Sequence, residues 1–395
     1  MKSIAIVGGG PAGAYAGELL ASAGWPVTIL DEHLAWEKPC GGGLSAKALE
    51  RYPFLVSENV PRRLVEKLAL RAPNGASVSM RLRRPMAIFS RRALNGLLLD
   101  RARRAGAAVV RDRVLRAERR NGAWRLHGKE GSYEADFCVA AAGARNPFRQ
   151  MGAQMHPGDA YIALGFYVPA LLDQVEIQFL RGLEGYIWIF PRSDHLSVGI
   201  CGRLASHPTL LLRRWLETYM GRRGLPLQGS AFYCHLLPSL SPAGFRRHRV
   251  AGDGWAAVGD AAGLVDPLTG EGLFYAMRSS ECLAGCLRTR SASAYPAVLR
   301  REMTADLEMG AALVPRFYNG RFLLGGVTTR MVQFCRRSPA FRDLMQDLVA
   351  GSQDYLGLRA RLLRQLGVTL WEIAASFASG PGSDPHEPFP VSTPV

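Results

Sequence analysis

Lysine is nearly missing: only five of the 49 basic residues in this 395-residue chain are lysine, and the arginines are scattered rather than gathered in one tail. No zinc-finger or RNP-like aromatic motif accompanies them, so nucleic acid is not an expected partner. The net charge of +16 still suits an anion, whether nucleotide phosphate, an acidic redox protein or an anionic membrane surface. No run of about 18 apolar residues is present, which leaves no membrane-spanning helix and limits membrane association to peripheral contact. Paired cysteines are missing too. Cys40, Cys138, Cys201, Cys234, Cys282, Cys286 and Cys335 are scattered and odd in number. They follow no zinc or disulfide-framework spacing, which points to a reducing, cytoplasmic compartment. Cys282 and Cys286 stand four apart on an expected helix, but no second pair completes a tetrahedral site, so no metal is expected. The eight histidines form no recognisable metal or catalytic arrangement, and there is no internal repeat.

What is present begins at the N-terminus. With 48% hydrophobic residues the chain can bury a large core and build two or three structural units. The apolar and small residues up to Ala23 superficially resemble a secretory signal, but Gly8, Gly9, Gly10, Pro11 and Gly13 interrupt any apolar stretch. The same spacing has a mechanical explanation. Ser3 to Val7 reads as a buried strand, Gly8-x-Gly10-x-x-Gly13 as a turn, Ala14 to Ala23 as a helix and Val27 to Leu30 as a second strand. Gly8 permits the tight turn, Gly10 lets backbone approach a pyrophosphate, and Gly13 allows close helix–strand packing. Pro11 and Ala12 lie at the mouth of the helix, whose positive end faces the phosphates. Asp31 ends the second strand 21 residues after Gly10, where a carboxylate can accept from an adenosine ribose; Glu32 is the adjacent alternative. This much indicates dinucleotide binding without separating FAD from NAD.

A distal segment adds a second turn and helix start. Trp255 to Val258 reads as a buried strand ending at Gly259-Asp260, and Asp266 to Gly272 leads into a helix from about Leu273. The N-terminus of that helix can stabilise negative charge on a reduced flavin ring.

Four separated segments carry a family resemblance: the N-terminal fingerprint, Lys38-Pro39-Cys40-Gly41-Gly42-Gly43-Leu44, Gly185-Tyr186-Ile187-Trp188-Ile189-Phe190-Pro191, and Gly259-Asp260 to Gly272. In these the chain resembles the geranylgeranyl reductase family, within the para-hydroxybenzoate hydroxylase-like group of flavoproteins. Arg91 falls at the arginine that usually contacts FAD. The resemblance implies that Asp260 meets the ribityl hydroxyls, and that Gly270, Gly272 and Leu273 face the flavin pyrimidine. It also implies that the loop of Cys40, Gly41 and Gly42 passes near the isoalloxazine, and that Tyr186 and Trp188 line a cavity for an apolar isoprenoid. Cys40, Tyr186 and Trp188 are the candidate catalytic residues. The implied reaction is delivery of hydride from reduced flavin N5, with a proton, to a carbon–carbon double bond. One departure matters. The wider group carries Asp-Gly after the strand expected at Phe137 to Ala141, whereas this chain has Ala142-Gly143. With Gly143 kept at the cofactor but the aspartate gone, the electron donor stays open between NADPH and a redox protein. The alternatives are a flavin-dependent monooxygenase or halogenase, whose Trp-x-Trp-x-Ile-Pro pattern is Tyr186-x-Trp188-x-Phe190-Pro191 here, and a non-catalytic flavin-binding protein.

The expected class is α/β: a Rossmann-like FAD-binding domain, an antiparallel β-sheet substrate domain and a helical C-terminal region. The FAD-binding pieces are expected at 1–70, 85–160 and 245–295, and the substrate sheet at 161–244 together with 71–84. A helical region at 296–378 and a flexible tail at 379–395 complete the chain. Asn121-Gly122 signals a hairpin within a β-meander. Leu313 to Phe334 mixes bulky apolar residues with Arg316, Arg321 and Arg330, a pattern open to docking on an anionic bilayer at the inner membrane surface or to an ordinary helix pair.

Overall fold

The computed structural model describes residues 3–148, 151–152, 156–289 and 292–378; the tail expected at 379–395 lies outside the described residues. Two units account for the chain, one formed by Met1–Lys38, Ser90–Tyr161 and Leu236–Ala311, the other by Pro39–Phe89, Ile162–His235 and Ala312–Val395.

The first unit is built on a six-stranded sheet with the order Ala251–Gly252, Trp255–Ala257, Phe137–Ala140, Ile4–Val7, Val27–Leu30, Ala108–Val110. All pairs are parallel except the edge strand Ala251–Gly252. Ile4–Val7 and Phe137–Ala140 are buried at every position. Parallel strands are covered on both faces, which is why these segments read as continuous apolar runs. Register then does something the sequence order hides. Val7 pairs with Leu30 and Ala140, and Ala140 with Ala257, so the residues after each strand emerge together at one edge. The Gly8 turn, Asp31, Ala142-Gly143 and Gly259-Asp260 thus share the carboxyl edge of the sheet, where α/β folds bind ligands. The expected meander forms from Val114–Arg120, Ala123–Gly128 and Ser132–Ala135, and both Asn121 and Gly122 have positive φ, the type I′ pattern.

The second unit carries an eight-stranded sheet in the order Ala231–Pro238, Ala160–Val168, Leu196–Arg203, Gly185–Pro191, Val175–Gln178, Arg62–Arg71, Ser77–Phe89, Gly43–Leu44. Val175–Gln178, Gly185–Pro191 and Leu196–Arg203 pair antiparallel, but Val175–Gln178 runs parallel to Arg62–Arg71. The hairpin Arg62–Arg71/Ser77–Phe89 therefore belongs wholly to this sheet. The chain leaves the first unit at 38/39 and returns at 89/90, where the sequence suggests boundaries at 70 and 85. Val78, Met80 and Leu82 are buried while Ser79, Arg81 and Arg83 are exposed, a period of two that says strand without saying which sheet. Helix Thr209–Arg222 buries Leu212, Leu216 and Met220. On that side of the sheet the fully buried Glu176 accepts from Arg223 at 2.9 Å and Arg71 at 3.2 Å, two partners that offset the cost of burying its charge.

Between Leu313 and Phe334 the chain is not one helix. A helix ends at Asn319, a two-stranded hairpin (Arg321–Phe322 with Gly325–Gly326) follows, and another helix runs from Val327 to Arg337. Pro339–Ala350 and Tyr355–Ala378 are the remaining helices. Among the described residues no helix is long and apolar enough to cross a membrane.

Candidate functional site

The fingerprint glycines of the first unit have three different reasons to be glycine. Gly8 has φ of +111°, and a Cβ there would collide with the Ala141 carbonyl. A Cβ on Gly13 would collide with the Gly8 carbonyl, so helix Pro11–Ser22 could not close onto the turn. Gly10 is unlike both: its φ is −68° and a Cβ would meet nothing within 4 Å. Nothing in the protein requires glycine there. The open space lies over a helix N-terminus that has proline in its first turn and no side-chain cap, the setting for a pyrophosphate.

Asp31 accepts from the Gly9 N–H at 2.6 Å and from His33 and Leu34 N–H at 2.7 Å each, tying the fingerprint turn to the loop after the second strand. Glu32 turns elsewhere. Its carboxylate takes a hydrogen bond from Lys129 at 3.2 Å and lies 3.6 Å from Arg113, and the Lys129 bond above all holds its pKa below the usual range. Asp31, not Glu32, is the carboxylate in contact with the fingerprint.

Arg91 opens helix Arg91–Arg104. The helix is capped by Ser90, whose Oγ accepts from Ala93 N–H at 3.0 Å, and by Glu37, which accepts from Arg91 N–H at 2.8 Å and Arg92 N–H at 3.1 Å. Arg91 is only 4% exposed, yet its guanidinium makes one long bond to Asn95 Oδ1 at 3.4 Å, and its Nε has no partner. A buried cation with five donors in a rigid fork is costly unless an anion completes it. FAD, with its diphosphate, fits that requirement.

The distal motif lies on the same sheet edge. Asp260 sits in the turn Gly259–Ala262, and a Cβ on Gly272 would come within 3.3 Å of its Oδ1. Helix Leu273–Arg288 begins there with no side-chain cap and is fixed against helix Pro11–Ser22 by Ser280 Oγ donating to the Ala12 carbonyl at 2.7 Å. Gly270 has φ of +71°, and Asp266 shapes its turn by accepting from Leu268 and Thr269 N–H at 2.9 Å each. Gly143, with φ of +75°, borders the same region: its Cβ position is 3.6 Å from Lys38 Nζ, which pairs with Asp260 Oδ2 at 3.3 Å. The roles of Lys38 and Glu37 escape sequence reading, because both pair with residues distant in the chain.

In the second unit the Cys40 loop lies on the aromatic strand. Cβ atoms on Gly41 and Gly43 would press on the Phe190 ring at 3.0 and 2.8 Å; Gly42 has φ of +83° and would collide with the Phe89 carbonyl. The Phe190 ring thus stands where side chains at 41 and 43 would go. The Cys40 carbonyl accepts from Arg192 Nη2 at 2.8 Å and from Ser197 Oγ at 3.2 Å, and Ser197 also bonds the Tyr233 hydroxyl at 2.8 Å. Burial keeps the proton on Tyr233 by raising its pKa well above the ordinary value. Cys40 itself is half-buried, and its Sγ accepts from Gly42 N–H at 3.3 Å. Tyr186 and Trp188 share a sheet face as the alternation predicts, edge to face with ring centroids 6.2 Å apart. Trp188 lies across Gly199 of the neighbouring strand, where any side chain would collide with the indole.

The chain is similar to known proteins over most of its length. The family described as FAD binding domain matches residues 1–209. A chloroplastic geranylgeranyl diphosphate reductase of Oryza sativa subsp. japonica is 27% identical over 386 residues, covering 89% of this chain and 79% of its own. A digeranylgeranylglycerophospholipid reductase of Methanothrix thermoacetophila is 28% identical over 70% of this chain and 75% of its own. Among solved structures, a geranylgeranyl bacteriochlorophyll reductase-like protein from Thermoplasma acidophilum superposes with a TM-score of 0.76 at 18% identity, covering 92% of this chain and 98% of that one. The halogenase PltM shares the fold at a TM-score of 0.66 and 16% identity, covering 95% of this chain and 85% of its own.

Proposed function

Because this chain belongs to the FAD-binding flavoprotein family, and within it to the geranylgeranyl reductases, we propose that it reduces a carbon–carbon double bond in an isoprenoid lipid. It is an FAD-dependent oxidoreductase. The observation that carries the finer reading is similarity over most of the chain to proteins named for reducing geranylgeranyl compounds. The aromatic face of Tyr186 and Trp188 suits a long apolar chain and offers a charged metabolite no partner.

FAD, when bound, supplies hydride. It would be held by the Gly8–Gly13 turn with Pro11 and Ala12, by Asp31, Arg91 and Asp260, and by Gly143, Gly270, Gly272 and Leu273. An unactivated alkene resists hydride alone, so the protein has to align the double bond, keep water out and hold a proton close to the second carbon. Tyr186 and Trp188 serve alignment and exclusion of water. Cys40 is the candidate group beside the reacting carbons, with Gly41 and Gly42 fixing its loop: the Gly42 N–H holds its sulfur, while Arg192 and Ser197 fix its carbonyl.

The test is to reduce the purified yellow protein without oxygen, add polyprenyl lipids, and follow flavin reoxidation together with product mass. A gain of two hydrogens is expected. Product gaining oxygen or halide only after air is admitted would overturn the reading in favour of an oxygen-using flavoprotein, and no reoxidation with any alkene would favour a non-catalytic one.

A further inference from the structure

The hairpin between Asn319 and Val327 turns on two leucines. Arg321 pairs with Gly326 and Phe322 with Gly325, leaving Leu323 and Leu324 as a two-residue turn with φ of +46° and +61°. Both central residues are left-handed, the type I′ pattern that elsewhere in this chain is met by Asn121-Gly122. A branched side chain in that region is strained, and leucine at both positions is the opposite of what hairpin stability selects. Nor does burial offset the strain, because Leu324 is 98% exposed and Leu323 and Phe322 are exposed beside it. The turn is held instead by Arg330, which donates to the Leu323 carbonyl.

A second apolar surface adjoins it. On helix Tyr355–Ala378, Leu363, Leu366, Leu370 and Phe377 recur at helical spacing on an exposed stripe, with Trp371 beside it 71% exposed. Glu372, the one acidic residue of that helix, lies on the opposite side and accepts from Ala340 N–H at 3.1 Å. Helix Val327–Arg337 joins the two surfaces. Phe322 packs edge-on against Phe334 at 6.2 Å, and one turn later the Arg337 guanidinium sits 3.6 Å over the Phe377 ring. Residues 312–378 carry nine arginines against four acids, and Arg316, Arg321, Arg336, Arg337, Arg359 and Arg364 are exposed.

We propose that the Phe322–Leu324 tip and the outer stripe of helix Tyr355–Ala378 form a docking surface for an anionic phospholipid bilayer. Apolar side chains presented with tryptophan amid arginines match the acyl boundary and the headgroup charge. A second copy of this chain fits poorly, since it would bring arginine against arginine with few acids to pair them. The inference deepens the proposed function, resting on that reading for the substrate's place in a membrane, but vesicle binding is measured independently of turnover.

The experiment is co-sedimentation of the FAD-loaded full chain with phosphatidylglycerol or phosphatidylcholine vesicles. Wild type should partition preferentially to phosphatidylglycerol, and Leu324→Asp should weaken that binding at least about tenfold, the loss expected when one leucine stays in water. The double variant Leu323→Asn, Leu324→Gly keeps the turn and relieves its strain. It should unfold at a higher temperature than wild type yet bind vesicles more weakly. Vesicle binding by the double variant equal to wild type, or no wild-type sedimentation with phosphatidylglycerol, would overturn the proposal, as would variants that alter self-association while vesicle binding is unaltered. Reduction of a short alkene in solution, measured on the same variants, should be unchanged; its loss in wild type would count against the proposed function alone.

Discussion

At the residue scale, the fingerprint separates fold from ligand. Gly13→Ala sets a methyl group against the Gly8 carbonyl, and something in the turn must shift. Overpacking of this kind costs typically about 1–3 kcal/mol, so the unfolding midpoint should fall. Gly10→Ala meets nothing in the protein, so the flavin-free chain should unfold at its usual temperature while flavin affinity drops. Thermal unfolding with and without FAD checks both. A Gly10→Ala variant that melts early without flavin would mean the position serves packing after all. Arg91 supports a companion expectation. With its guanidinium buried and its Nε unpartnered, Arg91→Met should remove a desolvated charge at no loss of a good internal hydrogen bond. The flavin-free protein should be as stable or more so, and FAD binding, followed by flavin fluorescence, should weaken by roughly 2–3 kcal/mol, the value of hydrogen bonds to a charged group.

At the element scale, the turns and caps that hold strand ends respond to pH through His248. This side chain lies at the edge of the Gly263 turn, with its Nε2 3.4 Å from the Gly263 Cβ position, and burial lowers its pKa to about 4. Unfolded, the same histidine titrates near 6.5. Between those values the unfolded chain binds the extra proton and the folded chain does not, so stability falls as pH is lowered through that window and is unaffected by this group above it. A set of melting curves from pH 7 to pH 4 should show the decline, and His248→Gln should flatten it by on the order of 2 kcal/mol. An equal slope in the variant would assign the decline to other groups. Elements with local signals were legible in the sequence: the βαβ unit, the Asn121-Gly122 hairpin and the four strands from Ala160 to Arg203 follow from glycine chemistry, period two and apolar runs. Membership was not legible. Arg62–Arg71 pairs with Val175–Gln178 about a hundred residues away, and no local pattern encodes a pairing chosen by tertiary packing. The same limit hid Glu37 at the Arg91 helix and Lys38 on Asp260. It also hid the Phe190 ring, which stands against the Cβ positions of Gly41 and Gly43.

At the scale of the whole molecule, the +16 charge was the least specific sequence feature, and structure gives part of it a location. Exposed arginines flank the Leu323–Leu324 tip and the Trp371 helix, whereas others, such as Arg71 and Arg223 on Glu176, are spent on internal pairs. Only the exposed ones can attract a surface from a distance. Their reach is about 8 Å at physiological salt and about 3 Å at 1 M. Turnover of a polyprenyl lipid carried in phosphatidylglycerol vesicles should therefore fall steeply as salt is raised, because encounter with the membrane depends on that field. Turnover of a short alkene in solution should barely change over the same range, since the cofactor cradle and Arg91 are screened by the protein itself. Charge reversal at Arg321 and Arg336 should reproduce the effect of high salt on the vesicle reaction while leaving the soluble one intact. If both substrates lose activity together with salt, the charge acts on cofactor binding or folding, and the arginines around the hairpin have no part in delivering the lipid.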